Sequence, residues 1–164
     1  MKTALLLVVL AGGLVGCAQD DYSEPRRVWI DPSISSQAVM SGIKAWEKVC
    51  IFARLETDQS KAHVRVVPDA ANDCTADASG ITWVGSAGFD DIIHLRTACY
   101  PDGVGIPRLA AHEFGHILLG PEHIPPERPA VMNAIFGNED PVLTDADLGY
   151  YWGIATAQPP CTTR

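Results

Sequence analysis

Basic charge is in short supply: 12 Lys and Arg stand against 20 Asp and Glu in 164 residues, a net charge of −8. Nucleic-acid binding needs a cationic surface that displaces counterions from phosphates, so that class is excluded. Cysteines are few, and none are spaced as Cys-x-x-Cys, which argues against a thiolate metal site. No apolar run reaches the roughly 20 residues that a membrane-spanning helix requires. Internal repeats and low-complexity tracts are also missing. The length leaves room for one domain, and a 47% hydrophobic fraction is enough for its core.

What is present begins with a leader. Lys2 precedes a short apolar stretch, Ala4 to Leu14, which reads as an export signal covering residues 1–16. It ends in Leu14-Val15-Gly16-Cys17, which resembles the bacterial lipobox. The resemblance implies that Cys17 is lipidated and becomes the first mature residue, anchoring the protein to the bacterial cell envelope. Ala18 rather than Asp follows, which implies the outer membrane in a Gram-negative source. Removing the leader takes away Lys2 and no acid, so the mature chain is more acidic still. Residues 17–26 read as a polar tether, and 27–164 as the folded domain. Four cysteines remain: Cys50, Cys74, Cys99 and Cys161. In an exported chain they are expected to form two disulfides, with three pairings open. Cys74–Cys99 with Cys50–Cys161 would staple the strand region and tie the first helix to the C-terminus.

Val28-Trp29-Ile30 reads as a first strand. Ser35 or Ser36 is placed to cap a helix running to about Cys50, with Val39, Ile43, Trp46 and Cys50 on one face and Trp46 in the core. Alternation predicts strands at His63–Val67, Ile81–Val84 and Asp91–Arg96. Pro107 opens a helix that runs to Leu119 and stops at Gly120-Pro121. Thr144-Asp145-Ala146-Asp147 reads as a capping box, with Asp in place of Glu, at the start of a last helix. The expected class is α+β.

The chemistry sits in His112-Glu113-Phe114-Gly115-His116. Residues four apart share a helix face, so both imidazoles can reach one ion. Zinc takes imidazole nitrogen at ~2.0–2.1 Å and keeps a position for water when the protein supplies three ligands. Glu113 lies about 100° round the helix from His112, outside the ligand row yet near enough to take a proton from that water. The expected reaction is zinc-dependent peptide hydrolysis with Glu113 as general base.

The stretch Leu109 to His123, with Ala130-Val131-Met132-Asn133-Ala134 and Leu143 to Gly149, resembles the metzincin clan and, within it, the matrixins. That family carries HExxHxxGxxH, a Met-turn beneath the metal and a final helix. The resemblance implies a metzincin-like single domain: a twisted mixed sheet, an active-site helix, a Met-turn at Met132 and a C-terminal helix. It also implies a peptide or protein substrate. The spacing departs from the family by one residue. Leu119 occupies the glycine slot and Glu122 the third-histidine slot, while Gly-x-x-His is displaced to Gly120 and His123. One extra helical residue turns the exit by about 100° and advances it by ~1.5 Å. Either His123 or Glu122 completes the site, and the glycine-led turn favours His123. His63 and His94 are expected to be bystanders.

By the same resemblance, Asp91 to Leu95 would be the sheet edge that pairs with an extended peptide. Arg108 would lie at the base of the S1′ pocket, unless it is a surface charge, and Ala134-Ile135-Phe136 would form that pocket's wall. Structure is expected to begin soon after Cys17, leaving no segment for a cysteine-switch propeptide. Two other functions fit the same residues: a lipoprotein that holds zinc without turnover, and a zinc amidase acting on cell-wall peptides.

Overall fold

The structure is a computed structural model, and it describes residues 24–69, 80–83, 91–100, 102–120, 123–125, 130–133 and 142–154. Five strands form one sheet: β1 (Arg26–Ile30), β2 (Ala53–Leu55), β3 (Val64–Pro68), β4 (Gly80–Trp83) and β5 (Asp91–Leu95). Their order is β2-β1-β3-β5-β4. The first four in that order run parallel, and β4 pairs antiparallel with β5. The described residues also form three α-helices: α1 (Ser36–Ile43), α2 (Ile106–Leu119) and α3 (Asp145–Ile154). The class is mixed α/β, with one antiparallel strand on an otherwise parallel sheet. Among the described residues no helix is long and apolar enough to cross a membrane.

Alternation along the strands explains how the sheet meets the helices. Val28 and Ile30, Val64 and Val66, and Ile93 and Leu95 are buried at every second position and join one apolar cluster with Val39, Ile43, Leu109 and Phe114. α2 packs against α1, β4 and β5. Gly42 lets α1 and α2 close up, because a Cβ there would overlap the Pro107 carbonyl.

The first helix differs from expectation. Ser35 caps it, its Oγ accepting the Ala38 N–H at 3.3 Å, but the α-helix stops at Ile43. A 3-10 helix continues over Lys44–Val49 and closes at Cys50 in a left-handed conformation, φ 65. Cys50 and Cys99 are both disulfide-bonded. Cys17, Cys74 and Cys161 lie outside the described residues.

Two sheet features correct the sequence reading. β2 was not anticipated: it has three residues, pairs only with β1, and carries no buried position. The edge reading for Asp91 to Leu95 is also wrong. β5 is flanked by β3 and β4, so both its sides are paired, and among the described residues β4 and β2 are the two edge strands. Chain order misled here, because the strand nearest the histidine helix in sequence lies inside the sheet.

Candidate metal centre

α2 carries both motif histidines, with Gly105 (φ 89) before its first turn and Gly120 (φ 84) ending it. His112, Glu113 and His116 are all buried on this helix. The chain beyond Gly120 brings His123 back to the pair, where it stays exposed. Nε2 of His112 lies 3.1 Å from Nε2 of His116 and 3.3 Å from Nε2 of His123. The His112 and His123 rings are nearly parallel, 20° apart, and His116 stands across both at 89° and 88°. These three are the group of His, Cys, Asp or Glu side chains able to share an ion among the described residues. Glu122 lies outside the described residues.

Hydrogen bonds decide which nitrogens face inward. Nδ1 of His112 lies 2.7 Å from the Val131 carbonyl, and Nδ1 of His116 lies 2.9 Å from the Gly120 carbonyl. A carbonyl only accepts, so each Nδ1 carries the proton and each Nε2 presents a lone pair in the neutral ring. Two lone pairs 3.1 Å apart repel unless a cation lies between them. A tetrahedral ion with ligands at ~2.0–2.1 Å sets them about 3.3–3.4 Å apart, close to the separations here. The residues therefore fit a metal ion. Three imidazoles suit several first-row ions, so the donor set alone does not choose among them.

Electrostatics agree with neutral rings. Burial pushes the His112 pKa down to about 4, and His116, His123 and Arg108 nearby add to the depression against the Val131 hydrogen bond. His116 is lowered as well, first by burial and then by His123, with the Gly120 carbonyl opposing.

The turn at 130–133 supports this cluster, and all four of its N–H groups and the carbonyls of Ala130, Val131 and Met132 have hydrogen-bond partners. The Ala130 N–H donates to Asn133 Oδ1 at 2.8 Å, and the Ala130 carbonyl accepts from Arg108 Nη2 at 3.0 Å. The Val131 and Met132 N–H groups both donate to the Asp147 carboxylate at 3.0 Å. The Met132 carbonyl accepts from the Ile124 N–H at 2.9 Å. Met132 is fully buried, and its sulfur lies against Gly115, where a Cβ would overlap it. Trp46 packs on the same glycine and donates its indole N–H to the Ala111 carbonyl at 2.8 Å. Glycine in the middle of the motif thus lets a methionine and a tryptophan reach the helix backbone.

The structure places His112, Glu113 and His116 on α2, brings His123 to the two histidines, and buries Trp46 in the core as its helical spacing predicts. Two roles were missed. Arg108 is buried and donates to the turn, which removes its reading as a surface charge. Asp147 was read only as a helix cap; it does accept the Thr144 N–H at 2.9 Å, but the same carboxylate also holds the turn. A lone Asp at a capping position carries no signal for that second task. His63 accepts from the Arg27 N–H, and His94 sits on β5; neither joins the cluster. Ala134, Ile135 and Phe136 lie outside the described residues.

Fold and cluster together define a mixed α/β domain with a three-histidine site able to hold a metal. No protein-family model matches the chain, and no curated protein matches it in sequence.

Proposed function

We propose that this chain is a zinc-dependent endopeptidase of the metzincin kind, carried to the cell envelope on a lipidated Cys17. The observation that carries the reading is the convergence of three imidazole Nε2 atoms, two of them with tautomers set by backbone carbonyls, on a helix that also carries buried Glu113 next to His112. A zinc ion held there supplies Lewis acidity and brings the pKa of water toward ~7.

The residues of the chain do the rest. His112, His116 and His123 would hold the ion through their Nε2 atoms, and His123 is the exposed one of the three. Glu113 takes a proton from the attacking water as the carbonyl carbon gains its new oxygen. It then hands that proton to the leaving amine as the C–N bond breaks. Met132 packs beneath and fixes the helix without ligating. The edge strand β4 offers its outer main chain to an extended substrate, in place of β5, by strand addition beside α2.

The test is zinc content together with cleavage of an unfolded protein such as casein, with Glu113→Ala as the control. Anchoring is tested separately: Cys17→Ser should leave the membrane fraction or remain unprocessed. A cleaved Cys17→Ser protein that still sediments with membranes would contradict lipidation.

A further inference from the structure

His112 and His116 each have a carbonyl holding Nδ1, whereas among the described residues the His123 ring has a polar neighbour only at Nε2, toward His112. The third imidazole lies beyond the helix end and is exposed, so its placement must come from the backbone that carries it. Among the described residues that backbone is held by the Met132 carbonyl, which accepts the Ile124 N–H at 2.9 Å, and by one side chain. Asn133 is buried, and its Nδ2 donates to the Ile124 carbonyl at 3.0 Å and the Pro125 carbonyl at 3.1 Å. Its Oδ1 accepts the Ala130 N–H at 2.8 Å. The orientation of the amide is chemically required, since an N–H faces its oxygen and two carbonyls face its nitrogen. Ile124 and Asn133 also form an isolated parallel bridge.

We propose that Asn133 is the positioning residue of His123. It ties the His123–Pro125 segment to the turn whose Val131 carbonyl orients His112, so one short turn sets the distance between the first and third imidazoles. The inference rests on the metal-site reading and adds a residue that never touches the ion. Metal-orienting partners outside the ligand set typically cost ~10–100-fold in affinity when removed. A residue that only stabilised the fold would weaken zinc binding equally whether or not His123 is present.

The experiment is a double-mutant cycle on zinc affinity, read by chelator competition in the full-length chain, over the unmutated protein, Asn133→Asp, His123→Ala and the double variant. Asn133→Asp keeps the shape and the acceptor for Ala130 but sets a carboxylate against two carbonyls. It should weaken zinc by ~10–100-fold alone and by less than about twofold on the His123→Ala background. Where Asn133→Asp does not fold, Asn133→Ala runs the same cycle without the added charge. Equal losses in both backgrounds, or no loss in the first, overturn the role of Asn133 and leave the metal site standing. A failure of the unmutated chain to take up zinc overturns the metal-site reading, and this one with it.

Discussion

One oxygen of the Asp147 carboxylate accepts the backbone N–H of Met132 at 3.0 Å, which joins the last helix to the turn beneath the histidines. The other oxygen accepts from the Val131 N–H, the Thr144 N–H and the Thr144 hydroxyl at 2.9 to 3.0 Å. A fully buried carboxylate thus takes four hydrogen bonds, and without it the N–H groups of buried Val131 and Met132 would lose their acceptor.

Asp147→Ala should therefore lower the stability of the metal-free protein by about 3–5 kcal/mol, since hydrogen bonds to a charged acceptor are each worth ~1.5–3 kcal/mol. Urea unfolding measures it. A loss under about 1 kcal/mol would show that water or a rearranged turn satisfies the same donors.

Gly115→Ala should cost about 1–3 kcal/mol by overpacking. The new methyl group would overlap the Met132 sulfur and stand 2.7 Å from Trp46 Cζ2, both on fully buried side chains. Met132→Ala in the same chain should recover part of that loss, because it removes the atom in the way. Additive losses in the double variant would place the strain elsewhere.

Much of this site was readable from residues four apart on one helix, because helical periodicity alone puts His112 and His116 on one face. His123 was harder, since a single extra residue before Gly120 left Glu122 as a rival. Local patterning cannot show where a chain returns after a helix ends. The same limit hid the second role of Asp147, the burial of Arg108 and the place of β5 inside the sheet. Each depends on what another segment brings alongside. β2 escaped for a different reason: three residues with Leu55 exposed leave no alternation to detect.

Stability should fall with pH in the metal-free protein. The folded-state pKa of His112 lies below its ordinary value, at about 4, so the unfolded chain binds a proton that the folded chain refuses. The resulting stability is present above about pH 6.5 and is lost as pH falls from there toward 4, by up to about 3 kcal/mol for this one group. Urea unfolding between pH 7 and 4.5 in the presence of a chelator should show this slope, and His112→Gln should flatten it. An equal slope in the variant would assign the effect to other groups.

The most direct test of the central claim is cleavage of casein by two zinc-loaded proteins, the unmutated chain and Glu113→Ala, each first shown to hold one equivalent of zinc. The account predicts zinc-dependent cleavage by the unmutated chain, abolished by chelator, and a fall of roughly 10²–10⁴-fold or more in Glu113→Ala with zinc retained. Zinc bound by both proteins with no cleavage by either, or cleavage at equal rates, would contradict it.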